Sequence, residues 1–371
     1  EVRRMRIQVF VLAVLLGSAS GLPGQTPVVN TSLAGKATTS KSFTMPRTLD
    51  GHPDLQGTYD LATLTPIDRP AGQGQTMTAE EAKKREAGQQ KRVAQGDAKI
   101  AGDRTAPPKG GDGSVGAAGN VGGYNYGWLD PGSSYNVVDG QIRTSLIIDP
   151  PDGRMPPYTP EAQKRIASMR ARANSDATES NDPGLDKTPG AYDDPEARPL
   201  GEQCLLGFGS TSGPPMLPDY FYNNLHKIVQ TGDSVMILTE MVHDVRVVRM
   251  NAQHLPGNIR RWLGDSVGHW EGDTLVIDTT NFTSKTRFRG STENLHVVER
   301  FTRTGPKTLL YRFTIEDPAT WARPWTGEMA WYATNGLIYE YACHEANYAL
   351  GDILRGARER DREQGAAKAG K

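Results

Sequence analysis

The C-terminal half of the chain alternates apolar and polar positions with a period of two, the spacing of strands that turn one face to a core and the other to water. Between residues 222 and 350 this pattern predicts strands over Leu225 to Gln230, Ser234 to Met250, Ser266 to Trp270, Thr274 to Thr280, Val297 to Thr302 and Thr308 to Ile315. A last pair follows, Glu328 to Ala333 and Leu337 to Tyr348. Turn sequences punctuate the strands at Thr231-Gly232-Asp233, Glu271-Gly272-Asp273, Gly305-Pro306-Lys307 and Asn335-Gly336. Strands joined this tightly form an antiparallel meander, which loses its unpaired edges by closing on itself. The expected fold class is therefore mainly β, a lipocalin-like (calycin-like) barrel in preference to a Greek-key sandwich.

Asn335-Gly336 predicts a two-residue turn, because Asn and Gly reach positive φ at low cost. The resulting register pairs Tyr332 with Tyr339 and Trp331 with Glu340, so that Trp331, Glu340 and His344 share one face, and Tyr341 and Cys343 share the other.

Upstream, residues 50–221 read as a loop-rich region with first strands and short helices. Thr78-Ala79-Glu80-Glu81 is a capping box that opens a polar helix to about Gln95, without an apolar stripe. Residues 101–123 are Gly- and Pro-rich and predict surface loop; Tyr124 to Leu129 and Val137 to Ile148 resume strand character. Thr159-Pro160-Glu161 opens a short helix, and 173–202 reads again as loop. The charged residues of 351–371 predict a polar tail.

The first 24 residues have the order of a secretory signal peptide: Arg3, Arg4 and Arg6, an apolar run from Val9 to Leu16, then small residues. Met5 is the expected start, and 25–49 a flexible leader. The apolar run is too short to span a bilayer, so the expected product is periplasmic or secreted, with no integral membrane segment after signal removal. A formal net charge of −1 and the lack of a basic block argue against nucleic acid and point to a small-molecule ligand or substrate. Nothing in the sequence sets an oligomeric state.

An exported chain with two cysteines, Cys204 and Cys343, predicts a disulfide between them, with two buried thiols as the alternative.

Several segments carry a family resemblance: Arg143 to Arg154, Trp262 to Ser266, Trp270-Glu271-Gly272-Asp273 through Phe282, Leu295-His296-Val297-Val298-Glu299-Arg300-Phe301, and Tyr339 to Glu345. Together they resemble a family of secreted hypothetical proteins from soil and environmental bacteria. The resemblance covers most of residues 50–350. It implies export and a shared fold, and it carries over no catalytic residue.

Candidate chemistry rests on ionisable groups set among apolar strand positions. The sequence holds no P-loop, HExxH or paired CxxC, and Gly209-Ser210-Thr211-Ser212-Gly213 puts Thr at the centre of a nucleophile-elbow pattern, so neither cofactor nor metal is expected. His243, His296, His344, Glu240, Glu299 and Glu340 are the candidates for acid–base work, and Arg246, Arg300, Trp325, Trp331 and Tyr341 for ligand contact. Buried Glu to Arg ion pairs and core imidazoles account for the same residues in structural terms. Asp265-Ser266 and Glu271-Gly272-Asp273 read as turn chemistry. The function expected is a hydrolase or lyase using Glu and His on a small glycoside, polyphenol or similar compound in an internal cavity. A non-catalytic periplasmic binding protein is the alternative.

Overall fold

The computed structural model describes residues 43–96, 129–174, 190–207, 213–219, 222–286, 288–345 and 347–369. The expected signal peptide, most of the leader, the 101–123 loop, the Tyr124 to Leu129 strand apart from Leu129, and Gly209 to Ser212 lie outside these residues.

In chain order the elements are β1 (Gly57–Asp60), β2 (Thr76–Met77), α1 (Ala79–Gly96), β3 (Val137–Val138), β4 (Gln141–Arg143), β5 (Ile147–Asp149), α2 (Pro160–Asn174), β6 (Leu225–Gln230), β7 (Ser234–Thr239), β8 (Val245–Met250), β9 (Asp265–Glu271), β10 (Thr274–Thr280), β11 (His296–Gly305), β12 (Thr308–Glu316), β13 (Trp325–Ala333) and α3 (Tyr348–Ala369). Both expected helices form where their caps stand. Thr78 Oγ1 accepts from the Glu81 N–H at 3.2 Å, and Thr159 Oγ1 from the Ala162 N–H at 3.1 Å. The charged C-terminal residues expected as a tail form α3.

Strands β1 and β6 to β13 close into a nine-stranded barrel, because β1 pairs with β6 on one side and with β13 on the other. The barrel is mixed rather than a pure meander. The stretch read as one strand from Ser234 to Met250 breaks at a turn where Val242 and His243 take positive φ, giving the antiparallel pair β7 and β8. The long connection 251–264 then returns the chain so that β9 lies parallel to β8, with Val248 beside Ser266. A parallel join needs such a crossover, which a tight turn cannot supply.

The expected final hairpin does not form. Only β13 is a strand; Asn335 to Glu345 has no regular structure, and neither Asn335 nor Gly336 takes positive φ. The cause is the occupied edge of β13. Opposite β12, that edge pairs with β5 at Thr326 and Gly327, and with β1 at Tyr332 and Ala333. No donor or acceptor row is left for a returning strand.

Inward side chains fill the lumen. Trp331 sits at its centre with ring centroids 5.0 Å from Tyr311, 5.1 Å from Phe301, 5.3 Å from His226 and 6.2 Å from Tyr59. Gly213 to Pro218 is buried against this cluster, and the Met216 N–H donates to Tyr311 Oη at 2.9 Å. The lumen is thus a packed core where an internal ligand cavity was expected. A cleft of about 820 Å³ lies outside it, between α1 and the 131–135 segment.

Candidate active site

Strands β9 to β12 carry alternating inward apolar and outward polar residues. The turn at Gly272, which takes positive φ (59°), pairs Glu271 with Thr274, and so fixes Asp265 opposite Thr280 and Val267 opposite Asp278. On the next strand Asp278 faces Val298. Asp265, Asp278 and His296 therefore project from the outer face of three adjacent strands, each one diagonal step from the next. Glu316 of β12 stands directly opposite His296.

The 251–264 connection lays His254 across this line. Its Nδ1 is 3.1 Å from Asp265 Oδ2, and its Nε2 is 2.9 Å from Asp278 Oδ1. The other Asp278 oxygen, Oδ2, is 2.9 Å from His296 Nε2. Asp265 is buried, and it also accepts from Arg249 Nη2 and from the Leu255 N–H at 2.9 Å. Asn281 Nδ2 donates to the Leu255 carbonyl at 2.9 Å and holds the connection in place. A continuous file results: Arg249, Asp265, His254, Asp278, His296.

A carboxylate only accepts hydrogen bonds, so both imidazole nitrogens that face Asp278 donate to it. The two rings differ in what remains. His254 has a carboxylate within hydrogen-bond distance of each nitrogen, whereas the second nitrogen of the partly exposed His296, Nδ1, has only Glu316 Oε2, at 3.7 Å. Burial would raise the Asp278 carboxyl, but the hydrogen bonds from His296 and His254 overcome it and hold the group below the usual carboxylate range. Asp265 is likewise low: burial works against the Leu255, His254 and Arg249 contacts, and the contacts prevail. The hydrogen bond to Asp278 raises the His296 imidazole above its ordinary value, against the effect of burial. An imidazole oriented by a carboxylate and open at its second nitrogen can take or give a proton near neutral pH.

Among the residues expected from the sequence to carry chemistry, only His296 belongs to this site. Glu299 and Arg246 point inward and form a buried bidentate ion pair, with Arg246 Nη2 3.0 Å from Glu299 Oε1 and Tyr311 Oη donating to the same oxygen at 2.8 Å. Burial, with the Glu299 charge, pushes the Tyr311 phenol well up. Trp325 and Trp331 are fully buried core residues, and Arg300 reaches Glu271 on the outer surface at 2.7 Å.

The strand faces expected for His243, Glu340 and His344 do not exist. His243 is exposed in the turn after β7, while Glu340 and His344 are exposed in the irregular C-terminal segment, where Tyr341 is half-buried. Glu240 is buried at the end of β7, accepting from the Tyr339 N–H at 3.1 Å; burial raises its carboxyl. Cys204 and Cys343 form the expected disulfide, with Cα atoms 5.8 Å apart, although it ties the 199–207 loop to an irregular segment rather than to a hairpin.

Four members of the file were not among the residues expected to carry chemistry: Arg249, His254, Asp278 and Asp265, the last of which the sequence suggested only as turn chemistry. Strand alternation with the Gly272 turn register places Asp265 and Asp278 on one outward face, and that signal was in the sequence. His254 lies in an aperiodic segment and carried none. Among the described residues no cluster of three or more His, Cys, Asp or Glu is placed to hold a metal ion, and no helix is long and apolar enough to cross a membrane.

Fold and site together define a mixed β-barrel protein with a histidine–aspartate file on its outer wall. No family model, curated protein or solved structure matches the chain.

Proposed function

We propose that the protein is an exported acid–base enzyme of hydrolase or lyase type, acting on a small polar compound, with His296 as the proton-transferring group. The observation that carries this reading is the single carboxylate of Asp278, which accepts from two imidazoles and leaves one of them, His296, with its second nitrogen 3.7 Å from Glu316 on the partly exposed face of the barrel. Asp278 orients His296 and stabilises its protonated form, the role a carboxylate plays behind a catalytic histidine. His254, held at both nitrogens, positions Asp278 in turn. The disulfide is consistent with an oxidising compartment, which supports export.

The test is turnover of chromogenic esters and glycosides and of a β-elimination substrate by the wild-type protein and by Asp278→Asn, His254→Gln and His296→Gln, each checked for fold by circular dichroism. The reading expects a loss on the order of 100-fold or more for folded His296→Gln. Turnover that survives this substitution sinks it. A wild-type protein that binds such compounds without converting them supports the binding-protein alternative.

A further inference from the structure

We propose that His296 Nδ1 and Glu316 Oε2 together hold the attacking water of a hydrolysis whose substrates are small carboxylic esters; this rests on the acid–base reading above and narrows it. The two atoms stand 3.7 Å apart, too far for a direct hydrogen bond. One oxygen at about 2.8 Å from each bridges that gap comfortably. Cross-strand register sets the pair, because β11 and β12 place His296 directly opposite Glu316 at their ends. Both side chains are partly open, at 33% and 48% exposure, so a substrate can reach the bridged oxygen.

The step balances without a further reagent. The water oxygen bonds to the ester carbonyl carbon while its proton passes to His296 Nδ1. The carbon–oxygen ester bond then breaks, and the same proton returns to the departing alkoxide, giving a carboxylic acid and an alcohol.

Glycosides fit the site less well. Their hydrolysis by a carboxyl pair needs one carboxylic acid that keeps its proton at working pH, in order to protonate the leaving oxygen. Asp278 and Asp265 are both held low by their hydrogen bonds, so neither stores a proton, and Glu316, the third carboxyl beside the imidazoles, serves in this site as an acceptor for the water. An ester with a phenol or small alcohol as leaving group needs no such acid at the start.

The groups that face His296 are Asp278 from β10, Glu316 from β12 and, through Asp278, His254 with Asp265 and Arg249 behind it. Activity carried by the Nδ1 lone pair should therefore rise with pH through a midpoint above the ordinary imidazole value, because Asp278 and, to a smaller extent, Glu316 raise it.

Hydrolysis of p-nitrophenyl acetate and p-nitrophenyl β-glucoside by the full chain decides the matter. The expected result is acetate turnover that falls on the order of 100-fold in His296→Gln and at least about tenfold in kcat in Glu316→Ala, with KM little changed. Glu316→Asp should restore part of that loss, and the pH midpoint should drop in Asp278→Asn. Loss in His296→Gln with full activity in Glu316→Ala overturns the water site and leaves the acid–base reading standing. Turnover of the glucoside alone, or of neither probe, overturns the ester assignment. Wild-type rates in both His296→Gln and Glu316→Ala overturn the inference and the reading together.

Discussion

Asn136 bonds both backbone groups of Ala330: its Nδ2 donates to the Ala330 carbonyl at 2.9 Å, and its Oδ1 accepts the Ala330 N–H at 2.8 Å. The amide side chain does the work of one residue of a neighbouring strand, in the stretch of β13 between its pairings with β5 and β1. Both residues are buried, so water cannot replace those bonds. Asn136→Ala leaves a buried donor and acceptor unpaired and should cost about 2 to 4 kcal/mol, read as a lower midpoint in urea unfolding. An unchanged midpoint would show that β13 finds other partners there.

The Arg246–Glu299 pair lies inside the barrel, fully removed from solvent at the carboxylate. Removing one partner strands the other charge, and Glu299→Ala should cost about 3 to 5 kcal/mol. Replacing both, as Arg246→Met with Glu299→Leu, should recover much of that loss, since well-packed apolar residues often match a buried ion pair. If the double variant is as unstable as the single one, the pair specifies the packing around Tyr311 and Met216 beyond its own charge balance.

The contrast between these two sites shows which parts of the molecule were legible in the sequence. The luminal pair was visible because Glu299 and Arg246 interrupt apolar strand faces, and both the ion-pair reading and closure into a barrel hold in the structure. Most strands were legible for the same reason, since period-two alternation and glycine-bearing turns are local signals. The final hairpin was misread because local turn chemistry at Asn335-Gly336 cannot report that β1, β5 and Asn136 already occupy the edge the return strand would need. That information is non-local. The parallel join of β8 to β9 was hidden likewise by the aperiodic segment 251–264. Within the candidate site, His296 stood out at the head of a strand; Asp278 needed the register of the Gly272 turn to be followed across two hairpins, and His254 needed the folded chain.

The Cys204–Cys343 bridge closes a loop of 139 residues in sequence and anchors the irregular C-terminal segment, helped by Asn347 Nδ2, which donates to the Glu202 carbonyl at 2.7 Å. Cross-linking so long a loop restricts the unfolded chain, and its removal should cost about 2 to 5 kcal/mol. Comparing the melting of wild-type protein, with and without reductant, against the Cys204→Ser, Cys343→Ser double variant measures this. Reductant should lower the wild-type midpoint to that of the variant and leave the variant unmoved. A wild-type midpoint insensitive to reductant would mean that the native contacts alone hold the segment.

Asp60 ends β1 beside Leu225 of β6, near the buried Glu240 and the exposed Asp130. Burial pushes its carboxyl up to about 6, with the two neighbouring carboxylates adding to the effect and the hydrogen bond from the Ala62 N–H at 2.8 Å opposing it. Because the folded state holds this proton more tightly than the unfolded state does, the folded protein binds more protons between the two values, and stability falls as pH rises across that window. The loss should run from about pH 4, the ordinary carboxylate range, and be complete a little above pH 6. Asp60→Asn keeps an oxygen for the Ala62 N–H and removes the charge. Its midpoint should therefore match the wild type near pH 4 and exceed it at pH 7, in thermal melts taken across that range. A substitution that destabilises equally at both pH values would show that the Asp60 carboxylate is held by a favourable partner at neutral pH and that its burial is not the dominant effect.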